Sequence, residues 1–287
     1  MKKYIFVFLL IFSLSATSAF AIFEDYQPSA RARGMGNAYI ASGDDADILF
    51  YNPAALITST PGVTAGYTQG FGLDYFTLQT GALSYKVPKI GMIALGIKTM
   101  GVEYEDISLQ EEGTYSLAHS FEITGDVHSE LYFGYSLNLY HLKFGQSVTG
   151  IPMGKENTFG VDIGGLAILH NRTRIAFAVK NINNPSVGED LEEDIPQYLT
   201  IGFAYDPYDD VTTEINLKQK FSDETQVHFG IEYEMFENFW LRTGASTYPN
   251  SISGGLGLLM KGVKFNYGFN THPVIAPTHH VSLGYQF

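Results

Sequence analysis

The chain has 287 residues, 16% of them charged, and a formal net charge of −13; it carries 19 Tyr, 21 Phe, one Trp, 30 Gly and no Cys. So acidic a chain lacks the Lys and Arg that nucleic-acid phosphates require, and without cysteine there is no disulfide framework, thiolate metal site, Cys nucleophile or lipid-anchored Cys. Mean hydropathy is close to zero, and abundant Tyr, Phe and Gly with few charges points to a β-rich protein in an unusual solvent rather than an ordinary soluble enzyme.

Residues 1–21 read as a secretory signal peptide. Lys2 and Lys3 form the basic start, residues 5–14 are apolar, and Ala19-Phe20-Ala21 is the cleavage motif. The apolar run would span only about 15 Å of a ~30 Å hydrocarbon core. No later stretch reaches the roughly 18 apolar residues of a membrane helix, which leaves a soluble exported β protein or a membrane β-barrel.

Residues 22–61 show no strand alternation. Asp44 or Asp45 is placed to N-cap a short helix through Leu49. Pro53 is expected to end it, with Asn52 pushed out of the α region. Apolar Met35, Ile40, Ile48, Leu49, Phe50 and Leu56 argue against a disordered tail. The expectation is a plug folded into the lumen of a barrel formed by residues 62–287.

From residue 62 the chain alternates with period 2, as in Leu131, Phe133, Tyr135, Leu137 and Leu139 against Tyr132, Gly134, Ser136, Asn138 and Tyr140. Fourteen strands are expected, at about 62–70, 75–86, 90–100, 115–125, 129–144, 157–169, 173–182, 197–206, 211–220, 225–235, 239–248, 251–261, 263–270 and 278–287. Alternation alone fits a sandwich or a barrel, but the links discriminate. Outer-membrane barrels have short periplasmic turns and longer outer loops. Every even link here is short, whereas the odd links include the longer 101–114, 145–156, 183–196 and 271–277. The fold expected is an all-β, 14-stranded antiparallel transmembrane barrel in the outer membrane. Fourteen strands enclose more space than their own side chains fill.

The inward face contains Lys98, Asn138, Asp162, Lys180, Glu214, Asn216, Lys218, Glu232, Glu234, Arg242, Lys264, Asn266 and His280. These groups are expected to pair across strands or with Arg31, Arg33, Asp44 and Asp45, holding the plug; a substrate path is the alternative. Two loops are acidic, with Glu103, Glu105, Asp106, Glu111 and Glu112 in one and Glu189, Asp190, Glu192, Glu193 and Asp194 in the other. They lack EF-hand spacing and read as solvated. His279 and His280 point to opposite faces and form no chelating pair. No hydrolase, zincin, P-loop or dinucleotide motif occurs, so no enzyme activity, cofactor or metal is expected. The chain closes on Tyr285 and Phe287 with alternate apolar residues before them, the ending that barrel assembly machinery reads in outer-membrane proteins.

The run Ala32-Arg33-Gly34-Met35-Gly36-Asn37-Ala38, then Asp44-Asp45-Ala46 and Tyr51-Asn52-Pro53-Ala54-Ala55-Leu56, resembles the PorV/PorQ family of outer-membrane proteins. That family is similar to the FadL-type long-chain fatty-acid transporters, whose N-terminal hatch carries the same Asn-Pro-Ala motif. The resemblance implies a 14-stranded barrel with an N-terminal hatch, to which Asn52, Pro53 and Ala54 carry over. It implies a conduit for hydrophobic or amphipathic small molecules, with an apolar pocket between plug and wall and a lateral gap or strand kink. The alternative is a PorV-like partner barrel in type IX protein secretion or surface attachment, with a protein-binding outer face. An open general porin is a third reading, which a plug argues against. The partners expected are the lipid bilayer, the assembly machinery and either a hydrophobic ligand or a secretion protein.

Overall fold

The computed structural model describes residues 23–105, 107–146, 153–188, 192–221 and 224–287. The leader expected at 1–21 lies outside the described residues, as do Asp106, Glu189 and Asp190 of the acidic loops.

Fourteen antiparallel strands close into one barrel. They are β1 (Gly62–Gln69), β2 (Phe76–Val87), β3 (Gly91–Tyr104), β4 (Ile107–Gly125), β5 (Ser129–Phe144), β6 (Lys155–Leu169) and β7 (Thr173–Lys180). Then come β8 (Tyr198–Tyr208), β9 (Val211–Lys220), β10 (Thr225–Phe236), β11 (Phe239–Ser246), β12 (Ser251–Met260), β13 (Val263–Asn270) and β14 (Thr278–Gln286). Closure pairs β1 with β14, from Gly62 opposite Gln286 to Gln69 opposite His279. A closed ladder leaves no strand edge to satisfy. The period-2 pattern has its expected consequence. Side chains such as Leu83, Leu95, Leu117, Leu139, Phe203, Phe229 and Leu283 stand exposed around the outside, far more apolar surface than a soluble monomer shows. The alternate residues face the lumen.

One end of the barrel carries only tight turns. Lys261 and Gly262 join β12 to β13 with φ of 52° and 83°, the paired positive φ of a type I′ hairpin. The other end carries the longer links, the largest of which, 181–197, contains a small ribbon pairing Ser186–Val187 with Glu193–Asp194.

The link expected as a long loop at 101–114 is a correction. β3 and β4 run on to Tyr104 and from Ile107, with Tyr104 opposite Ile107 across the turn. Above an apolar belt both faces of a strand are wet, so the pairing continues while the hydrophobic alternation stops. β4 and β5 have 19 and 16 residues, against 8 in β1, β7, β11 and β13, so the wall is taller on one side. Glu103 and Glu111 are strand residues, and Glu112 is a buried inward group rather than a solvated loop acid.

The N-terminal segment lies within the barrel. It contains a helical turn, α1 (Ala30–Gly34), and two 3-10 helices, Ala46–Phe50 and Pro53–Thr58. Ser29 caps α1 through its hydroxyl, which accepts the Ala32 N–H. Asp45 occupies the N-cap of the first 3-10 helix, as expected, but makes no side-chain cap bond; its carboxylate is spent on Lys264. Asn52 is extended, as a residue before proline should be, but Pro53 begins the second 3-10 helix rather than merely ending the first.

Candidate functional site: the N-terminal segment and the lumen wall

The segment starts near the loop end, where the Phe23 N–H donates to Glu112 Oε2 at 3.0 Å and the Phe23 ring packs with Tyr140, Leu142, Val187 and Ile195. It then descends toward the turn end and enters β1. Along the way the wall holds it in two physically different ways.

On β9–β13 the contact is polar. Arg31 donates from Nε and Nη2 to the two oxygens of Glu232, at 2.9 and 2.6 Å, a bidentate fork. Its Nη1 donates to Asp44. Arg242 also donates to Glu232, and to Asn266 Oδ1 at 3.0 Å. Lys264 Nζ lies 2.6 Å from Asp45 and 3.4 Å from Asp44. Three cations thus meet three carboxylates, so the network, buried except at half-exposed Asp44, is neutral, as burial of charge requires. Glu214 accepts the Ala41 and Ser42 N–H groups at 3.1 and 2.8 Å. Asn216 donates to the Asn37 carbonyl, and His228 Nδ1 lies 2.8 Å from the Gly36 carbonyl oxygen. Backbone approaches backbone closely here. A Cβ on Gly244 would sit 2.3 Å from Gly36 N, so α1 and the turn after it seat only on a glycine.

On the turn-end half of β2–β8 the contact is apolar. Tyr39, Ile48, Leu49 and Leu56 pack on a floor of Ala82, Ala94, Ala118, Leu166, Ala176 and Ala204, all 5% exposed or less. Small wall side chains let the segment's larger ones reach in. The Asn-Pro-Ala motif anchors this side. Asn52 Nδ2 donates to the Ile40 and Gly165 carbonyls, and its Oδ1 accepts the Ala54 N–H at 3.0 Å. Pro53 lies on Gly134, and Ser120 Oγ donates to the Ala54 carbonyl at 2.7 Å.

A second ionic cluster sits toward the loop end. Asp25 bridges Lys180 and Lys218 at 2.6 and 2.7 Å, Lys220 meets Glu24 at 2.5 Å, and Tyr198 Oη donates to Glu24. Burial works to raise the Asp25 carboxyl, but the two lysines outweigh it and hold it well below the ordinary carboxylate range. Asp47 forms no ion pair among the described residues. It accepts from Tyr39 Oη at 3.1 Å and from the Ser29 hydroxyl, and burial, then the charge of Asp45, pushes its carboxyl up to about 6.

Of the inward residues expected from sequence, Glu214, Asn216, Lys218, Glu232 and Lys264 touch the segment directly. Lys180 also reaches it, and Arg242 acts through Glu232. Asp162 instead gathers Ser136, Asn138 and the Asn181 N–H, fixing the root of link 181–197. Glu234 sits at the turn-end rim, where it accepts the Asn238 N–H. Lys98 is half-buried within the field of Asp25. His280 pairs inward with Thr68 at 2.6 Å, while His279 is exposed on the opposite face beside Tyr267. Tyr285 and Phe287 point outward. Arg33, expected to pair with a wall acid, does not; its Nε donates to the Gln27 carbonyl at 3.0 Å. Gly34 touches Gly255, Met35 is fully buried, and Gly36 takes a φ of 63°. The alanine floor, Glu112 and the residues 24–25 were missed by sequence reasoning.

Between the segment and β8–β13, open toward the loop end, lies a cavity of about 620 Å³. Its walls carry the rings of Tyr26, Phe71, Tyr198 and Tyr248 among many polar side chains, so it is mixed rather than the apolar pocket expected. An apolar groove of about 670 Å³ lies outside, over β1–β6, where the strand pairing is continuous. The ladder is interrupted elsewhere. β6 pairs with β7 only as far as Ile163. Beyond it, the Ile182 N–H donates to the Val161 carbonyl, and Asn183 accepts from Val161 and donates to the Phe159 carbonyl.

No protein-family model matches the chain, and no curated protein matches it. Solved structures do. The chain superimposes on the toluene transporter TbuX of Ralstonia pickettii with a TM-score of 0.66 at 12% identity, covering 93% of this chain and 100% of that one. A FadL homologue of Pseudomonas aeruginosa gives 0.60 at 11%, covering 91% and 98%. The toluene transporter TodX of Pseudomonas putida gives 0.61 at 12%, covering 93% and 99%. The fold is therefore that of the FadL-type outer-membrane transporter barrels.

Proposed function

We propose that the protein is a non-catalytic outer-membrane barrel that conducts hydrophobic or amphipathic small molecules past an N-terminal plug. The observation that carries this reading is the cavity of about 620 Å³ between segment and wall, within a fold shared with TbuX and TodX, which are named as toluene transporters. The tight-turn end is periplasmic and the loop end faces outward. Residues 1–21 serve as the signal peptide, cleaved near Ala21, and Tyr285 and Phe287 are read during assembly. Residues 22–61 act as the plug, with Arg33, Gly34, Met35, Gly36, Asp44, Asp45, Asn52, Pro53 and Ala54 as its seating motif. The interrupted ladder at β6 supports a lateral path, because side-chain and loop hydrogen bonds open more readily than a strand ladder.

The resemblance to PorV/PorQ proteins supports a second reading, a partner barrel in protein secretion. The tall side of the wall favours it, since Tyr104, Ile107 and Leu109 stand exposed beside Glu103 and Glu111 at its rim.

Native mass spectrometry of the barrel released gently from its own outer membrane separates the two. A retained small molecule is the outcome expected of the conduit. A stoichiometric protein partner with no small molecule would transfer the assignment to the secretion role.

A further inference from the structure

The outward-facing cavity has a charge pattern that a hydrocarbon passage does not need. Among the described residues, four of the five arginines have a carboxylate within 4 Å: Arg31, Arg172, Arg174 and Arg242. Arg33 is the exception, and it lines the cavity. The other cations of this wall already hold a carboxylate at contact distance, Lys218 sharing Asp25 with Lys180 and Lys220 meeting Glu24. Glu224 also lines the cavity, at its exposed rim. A half-buried guanidinium holding a single carbonyl has most of its donor capacity unused. Burial pulls Arg33 below the ordinary arginine range, outweighing the charges of Tyr51, Asp25 and Tyr26.

The rings of Tyr26, Phe71, Tyr198 and Tyr248 supply flat apolar faces in the same cavity. A long alkyl chain would leave the guanidinium unanswered.

The geometry points to a binding site for a compact ring-bearing carboxylate, with Arg33 gripping the carboxylate and the four rings holding the body. This deepens the conduit reading by naming the head group it selects, and it rests on that reading for the direction of traffic, though not for binding. The full-length barrel in detergent, titrated calorimetrically with benzoate, its neutral isostere benzamide, and toluene, tests it. Benzoate should bind at least about tenfold more tightly than benzamide, the margin of one charge-assisted hydrogen bond. Arg33→Gln should erase that preference, and Arg33→Lys should retain part of it. Folding of each variant is checked by heat-modifiable gel mobility; the wild-type comparison alone decides if a variant does not fold. Equal binding of benzoate and benzamide, or an unchanged preference in a folded Arg33→Gln barrel, would overturn the inference. Toluene binding without benzoate binding would overturn it too, while leaving the conduit reading standing.

Discussion

The same forty-residue stretch rests on two walls of the barrel, and the walls hold it mainly by different means. On β10–β13 it meets Glu232, which Arg242 backs, and Lys264; on β2–β8 it meets alanines, with Leu166 and Met92 among them. The apolar contact is non-directional and tolerates a small slide, because it depends on area removed from water. The ionic contact is directional, since a guanidinium fork fits one carboxylate geometry. The alanine floor therefore supplies adhesion, pinned at one point by the hydrogen bonds of Asn52 and Ala54 to the wall, and the charged wall supplies most of the register. Under the proposed function, a plug that must stay seated yet yield to a passing molecule has reason to divide its attachments this way.

Three experiments test the seating, read as hydrogen exchange of amides in residues 23–61, and a fourth supplies a contrast outside the lumen. The largest effect belongs to the charged wall. Glu232→Ala leaves Arg31 and Arg242 buried without their shared carboxylate and should loosen the α1 side by about 3–5 kcal/mol. Equal exchange in wild type and variant would reduce that network to decoration. Leu56→Ala, on the floor, should cost about 2–5 kcal/mol and raise exchange around Pro53–Thr58 without disturbing α1. If both variants loosen the whole segment alike, the two walls act as one cooperative unit.

Acidity gives a smaller effect of opposite sign. With the seated Asp47 carboxyl raised from 3.8 to about 6, the seated state binds its proton more tightly. Seating should strengthen as pH falls through 6, by about 1 kcal/mol between pH 7 and 5, and be complete below 3.8. Asp47→Asn should weaken the dependence by that amount, and an unchanged dependence would place the titrating group elsewhere, for instance at Glu112 or Glu214, which also hold the segment. The smallest effect is expected outside the lumen. Lys143→Ala breaks the exposed pair with Glu111, 3.5 Å apart, and should change stability by less than about 1 kcal/mol in a denaturant titration.

The two walls also differed in how legible they were. Charged residues in an alternating strand declare their face, so Glu214, Lys218, Glu232, Arg242 and Lys264 could be assigned to the lumen from sequence alone. Arg31, Asp44 and Asp45 could likewise be expected to meet wall charges. Alanine is small and weakly apolar, and reads the same on either face; Ala94 and Ala118 became a floor only once Leu49 and Leu56 were seen against them. The fourteen strands were legible because an apolar environment outside and a wet one inside enforce period 2. Where β3 and β4 rise beyond that belt the enforcement ends, and 101–104 and 107–114 read as loop although they belong to the strands. Arg33 was misjudged for a related reason. Sequence shows that a charge is present beside acids, but not that its fork turns toward a cavity instead.

The claim on which all of this depends is that residues 22–61 close the lumen. Deleting residues 25–56 and measuring ion conductance in planar bilayers tests it most directly. The account predicts a folded barrel whose conductance rises well above that of the intact chain. A folded barrel with unchanged conductance would contradict it.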